Sequence, residues 1–174
     1  PPSFFLGGFS SNSPDQTGEM ALNADLLDID ERLGFMYFIG NVHGTRGTAS
    51  FSMEKLDIRF DPDTHRLMEM TARKSVVLTD QDRLLTSDYL YHNALTTHTE
   101  VLENPVLWHG ETQIRADRFD YNETQKNLEM SGNVEAVTMV GDSLSIDSTS
   151  AEPNDMKHRL VYLTAGSVSC HGRT

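Results

Sequence analysis

The sequence predicts an all-β fold, an elongated stack of about five tandem two-strand units of ~30 residues each. Three observations lead there. From residue 21 onward, apolar side chains recur at period two rather than 3.6. The apolar runs are short, rich in β-branched and aromatic residues, and end in turn residues. Two separate markers then recur along the chain with one shared spacing.

Residues 1–20 (PPSFFLGGFSSNSPDQTGEM) are rich in Pro, Gly, Ser and Asn and read as a flexible arm or linker, leaving 21–174 as one β domain. Within the arm, Phe4-Phe5-Leu6 fits either a disordered end or the trace of an anchor. Strands are expected at Gly34–Ile39, Leu144–Asp147 and Leu160–Leu163. Hairpin-type turns are expected at Asp61–Thr64, Tyr121–Gln125 and Pro153–Asp155, where Pro presets φ and Asp or Asn bonds its own backbone. No segment carries the pattern of an amphipathic helix.

The first marker is an apolar residue, a spacer, a small or apolar residue, an acid, and two further apolar positions. It reads Leu22-Asn23-Ala24-Asp25-Leu26-Leu27-Asp28-Ile29 and recurs over Phe51–Ile58, Leu85–His92 and Ile114–Tyr121, with a weaker copy at Leu144–Asp147. Its acids Asp25, Glu54, Asp88, Asp117 and Asp147 step by 29, 34, 29 and 30 residues. The second marker is Gly-Asn-Val or its relic: Gly40-Asn41-Val42, Lys74-Ser75-Val76, Asn104-Pro105-Val106, Gly132-Asn133-Val134 and Gly166-Ser167-Val168. Its valines step by 34, 30, 28 and 34 residues.

Inside the first marker the inward phase switches, from even numbers at Leu22 and Ala24 to odd ones at Leu27 and Ile29. A strand changes face only through a bulge or a corner, so each unit bends where its acid sits. Repetition also marks these acids as structural. A catalytic group is usually unique, whereas a corner acid can accept from exposed backbone N–H groups in every unit. Stacked bent hairpins build a long folded sheet or jelly roll with two facing walls and an open edge at each end.

Composition narrows the function. Lys plus Arg total 14 and Asp plus Glu 26, a net charge of −12. That weighs against nucleic acid as a partner and against a basic membrane-surface helix. The single cysteine, Cys170, excludes an intrachain disulfide and a Cys-rich zinc site. No stretch reaches the ~18 apolar residues of a membrane span, and no intact signal peptide is evident. The seven histidines show no His-x-His or helical i,i+4 pair, so they read as solvated and no metal site is expected. The pairs Asp28/Asp30 and Asp61/Asp63 read as turn and surface chemistry. Trp108 reads as a core or rim residue. With no Gly-x-Ser-x-Gly, phosphate-cradling Gly loop or paired nucleophilic Cys, neither an enzyme nor a cofactor is expected.

What remains is the interior. The expected inner-wall residues are Leu22, Leu27, Ile29, Phe38, Leu56, Ile58, Leu90, Ile114, Phe119, Tyr121, Met130 and Val134. Two readings stay open. The walls close into a core, or they leave a groove that takes up lipid chains, with flexible methionines (eight in the chain) adapting to them.

Ile114–Tyr121 followed by Gly132-Asn133-Val134 resembles the repeat of the organic-solvent-tolerance-A-like domain of lipopolysaccharide transport proteins. So does Phe38–Val42 leading into Gly47, Met53-Glu54 and Leu56–Ile58. The resemblance covers about residues 21–170. It implies a twisted, V-shaped β-jelly roll in the periplasm of Gram-negative bacteria, with lipopolysaccharide acyl chains held between the walls. It implies partners too: lipopolysaccharide itself, and other transport proteins joined through edge strands, with end-to-end self-assembly as one form of that pairing. The soluble periplasmic bridge is the first expectation, ahead of an anchor-trimmed inner-membrane member and the N-terminal domain of the outer-membrane translocon. A closed structural β-adaptor that takes up no lipid is the alternative from another class. One departure stands out. Asn104-Pro105 replaces Gly-Asn in the third unit, and its missing N–H predicts an edge or bulge there.

Overall fold

The structure is a computed structural model that describes residues 20–141 and 158–171. The expected arm therefore lies outside the described residues apart from Met20, as do the strand at Leu144–Asp147 and the turn at Pro153–Asp155.

The described residues form one sheet of 12 antiparallel strands and no helix. In chain order these are β1 (Met20–Asn23), β2 (Leu26–Asp30), β3 (Phe35–Arg46), β4 (Ala49–Phe60), β5 (Leu67–Asp80) and β6 (Arg83–Asn93). They continue as β7 (His98–Leu102), β8 (Val106–His109), β9 (Thr112–Arg115), β10 (Arg118–Asn122), β11 (Asn127–Gly141) and β12 (His158–His171). One wall runs β2-β3-β4-β5-β6-β7-β10-β11-β12. The other runs β1-β3-β4-β5-β6-β8-β9-β11-β12. The long strands pass through the corner between the walls, while β1/β2, β7/β8 and β9/β10 are interrupted there. The architecture is that of a β-jelly roll.

The corner is built from the two repeat markers. Register shifts fall between Ile39 and Val42, between Arg73 and Val76, and between Ser131 and Val134. Consecutive left-handed residues sit there: Gly40-Asn41, Lys74-Ser75 and Gly132-Asn133, all at positive φ. Each such pair faces a repeat acid across the corner, and among the described residues the expected backbone N–H donor is seen only at Ser75. Asn41 donates to Asp25 (2.8 Å) and Asn133 to Asp117 (2.9 Å), while the Ser75 backbone N–H donates to Asp88 (3.1 Å). Gly132 is held by space as well as by φ, because a Cβ there would lie 2.3 Å from Asp117 Oδ2.

Two readings of the second marker need correction. In the third unit the left-handed pair is Glu103-Asn104, at φ 59° and 62°, so Pro105 takes the place of the valine and not of the asparagine. Proline fits because β7 has ended and no ladder N–H is needed. Gly166 lies opposite the Gly132-Asn133 bulge, between the pairs Ser131–Ser167 and Val134–Ala165, and so occupies the acid's slot.

The two expected turns that lie among the described residues form. Asp61 Oδ1 accepts from the backbone N–H of Asp63 and Thr64, and Asn122 Oδ1 accepts from Gln125. Core side chains from both walls then pack together, among them Leu56, Leu90, Phe119, Phe51, Leu78 and Leu85. Each fully buried large side chain contributes roughly 1.5–3 kcal/mol.

Candidate functional site

Strand register arranges the interior in rows. Nearest the corner, Val42, Met53, Val76, Ala116 and Val134 share one face and are buried. On the first wall a second row runs Leu27–Phe38–Leu56–Ala72–Leu90–Val101–Phe119–Met130. A third, farther from the corner, runs Ile29–Met36–Ile58–Met70–His92–Thr99–Tyr121–Leu128. The facing wall presents Leu22–Gly44–Phe51–Leu78–Leu85–Leu107–Ile114.

All twelve expected residues fall on these rows, and they divide by environment. Leu56, Leu90, Phe119, Tyr121, Met130 and Val134 are buried. Leu22, Phe38, Ile58 and Ile114 are partly buried and pack against them. Leu27 and Ile29 keep 48% and 45% exposure although they face inward, because β2 is the last strand of its wall. The middle of the interior is therefore closed, and the first end is open. Leu26, Leu33 and Ile39 add exposed apolar surface at that end. An open cleft beside them is lined by Asp28, Ile29, Asp30, Glu31, Leu33, Phe35 and Tyr37.

The period-two pattern also marks inward residues not singled out from sequence, notably Met53, Met70, Val101 and Leu128. One expectation is overturned. His92 is not solvated: it is 1% exposed, within the third row. Its Nδ1 lies 2.9 Å from Thr99 Oγ1, and its Nε2 has no hydrogen-bond partner among the described residues. Burial, with a smaller contribution from His98, pulls its pKa down to about 4, so the ring is neutral near pH 7.

The outer face of the same wall is a charged ladder. Arg73 and Lys55 pair with Asp57, Arg59 with Glu69, and Arg118 with Glu100 and Asp120. Hydrogen bonding to Asp120 raises the Arg118 pKa above its ordinary value, so it stays a cation. His98, Glu100 and Asp120 bring one potential metal-ligand atom each within 4.8 Å of one another. The Arg118 guanidinium already supplies these two carboxylates with the positive charge that a metal would bring. Trp108 is half-buried on a strand whose neighbour Leu107 faces inward.

Among the described residues no helix is long and apolar enough to cross a membrane. A family model described as "LptA/(LptD N-terminal domain) LPS transport protein" matches residues 21–151. No curated protein matches the chain. Among solved structures the chain is similar to LptH, described as the LptA homologous periplasmic component of the conserved lipopolysaccharide transport device from Pseudomonas aeruginosa. The two share 9% identity with a TM-score of 0.59, over 86% of this chain and 98% of that one. At that identity the likeness is one of fold.

Proposed function

The chain belongs to the LptA/(LptD N-terminal domain) LPS transport protein family, and from that premise we propose that it is a periplasmic bridge component that holds lipopolysaccharide acyl chains between its two walls. One observation carries this reading. An apolar row runs without interruption from the exposed Leu27 at the open end through Phe38 into the Leu56–Leu90–Phe119 interior. An acyl chain that enters there leaves water along its length, worth roughly 0.8 kcal/mol per CH₂. The closed middle parts to admit it, and Met36, Met53, Met70 and Met130 supply side chains that adapt at low cost. No chemical step is involved. With a net charge of −12 the surface repels anionic headgroups within a screening length of ~8 Å, which favours admission at the end or along the seam over loose surface binding. Edge pairing through β1 and β2 at one end, and β12 at the other, links the protein to other transport components or to further copies.

The closed middle favours a second reading, a structural β-adaptor that pairs by its edges and takes up no lipid. An anchor-trimmed member of the same transport system would share the groove and differ in its attachment. Native mass spectrometry with lipopolysaccharide, against a phospholipid of similar charge, separates groove from adaptor. The groove predicts a lipopolysaccharide adduct that phospholipid does not mimic. Phe38→Asp on the half-buried part of the wall should abolish it while circular dichroism still shows a folded sheet. A folded protein with no adduct refutes lipid uptake and leaves the adaptor.

A further inference from the structure

His92 and Thr99 are the last inward positions on β6 and β7 before the turn that joins them. They lie about 13 Å along the strand from the corner acid Asp88, at ~3.3 Å per residue. A chain lying in the groove with its tail toward the corner therefore brings its carboxyl end near this pair. Ile58, Met70, Tyr121 and Leu128 surround the position in its row. Among the described residues the interior holds three buried polar residues, Ser87, His92 and Thr99. Ser87 donates to the Tyr89 carbonyl and Thr99 pairs with His92 Nδ1, whereas His92 Nε2 is buried with no partner among the described residues. A buried polar nitrogen without a partner costs free energy that any repeat carrying Ile or Tyr here avoids.

We infer that His92 is a recognition residue for acyl chains bearing a hydroxyl near the carboxyl end, with Nε2 hydrogen-bonding that hydroxyl. The inference rests on the acyl-groove reading above. A hydroxyl suits both tautomers of the ring. If Nδ1 donates to Thr99, Nε2 accepts the hydroxyl proton; if Thr99 donates to Nδ1, Nε2–H donates to the hydroxyl oxygen. An unsubstituted chain leaves the nitrogen unpartnered.

Methyl tetradecanoate and methyl 3-hydroxytetradecanoate test this, since they are neutral and differ by one hydroxyl. Displacement of a fluorescent acyl probe should show the wild-type protein preferring the hydroxylated ester by roughly tenfold. His92→Phe keeps an aromatic ring in place and removes both nitrogens, and should bring the ratio of the two affinities to about one. In the unmodified protein, ¹⁵N NMR of labelled histidine should show the His92 Nε2 resonance moving on saturation with the hydroxylated ester alone. That readout does not depend on a variant folding. No preference in the wild type, a preference that survives in His92→Phe, or an Nε2 resonance indifferent to the hydroxyl overturns the inference. If the plain ester binds without discrimination, the groove stands and only the role of His92 falls. If neither ester binds, the groove reading falls and the inference with it.

Discussion

Gly132→Ala is expected to destabilise the corner by about 2–3 kcal/mol, and the structure says where that comes from. Gly132 has φ +70°, and placing an L residue in that region costs roughly 1–2 kcal/mol. The new Cβ would also meet Asp117 Oδ2 at 2.3 Å, so the carboxylate must swing away from Asn133 Nδ2, now 2.9 Å distant. Losing that hydrogen bond adds about 1 kcal/mol. Gly47 is the control: its φ is +60° and a Cβ there meets nothing within 4 Å, so Gly47→Ala should cost the backbone part alone. Urea unfolding of both variants measures the difference. A third protein, Gly132→Ala combined with Asp117→Ala, should show about 1 kcal/mol of coupling because the clash is gone. Equal costs for Gly132→Ala and Gly47→Ala, or no coupling to Asp117, would refute the corner as drawn.

Other outcomes follow from the same geometry. His92 binds a proton less readily folded, with a pKa of about 4 against the ordinary 6.5. The unfolded chain therefore takes up a proton first as pH falls, and this residue's share of stability is lost between pH 6.5 and 4, about 3 kcal/mol in all. The stability gap between wild type and His92→Phe, from urea melts at pH 7 and pH 4, should shift by that amount. Asp88→Ala removes the acceptor of the Ser75 N–H and should cost about 1 kcal/mol by thermal unfolding, with Asp88→Asn recovering most of it. Leu27→Lys and Ile29→Lys change exposed side chains on the end strand, so stability should move by less than about 0.5 kcal/mol, while the edge pairing proposed above predicts concentration-dependent assembly by analytical ultracentrifugation in the wild type and its loss in both variants.

The bends, the two walls and the inner rows were legible because a strand has only two faces. A phase switch from Leu22 to Leu27, repeated at Ile114 to Phe119, requires a bulge or a corner. The left-handed pairs were legible only where glycine and asparagine announce them. Lys74-Ser75 and Glu103-Asn104 adopt the same φ because the ladder on both sides holds them, a tertiary effect that residue type conceals. That concealment slipped the third unit by one residue and hid Pro105 as the valine's substitute. His92 was misread for a different reason. Its repeat aligns it with Ile29, Ile58 and Tyr121, all inward, yet a histidine counted by chemistry alone looks solvated. Exposure of Leu27 and Ile29 was invisible to pattern, since pattern gives the face of a strand and not whether a neighbour covers it.

The open end, the apolar rows and the family all bear on whether acyl chains lie between the walls, and adjacent residues on β3 can decide it. Tyr37 and Phe38 are both half-buried aromatics that point to opposite faces, Phe38 inward toward Leu56 and Tyr37 outward toward Asp57. Each can be replaced in turn by the photoreactive p-benzoylphenylalanine and irradiated with lipopolysaccharide. A crosslink at Phe38 and none at Tyr37 is the result expected of acyl chains held between the walls. Equal crosslinking at both, or labelling at Tyr37 alone, would contradict it and put the lipid on the outer surface.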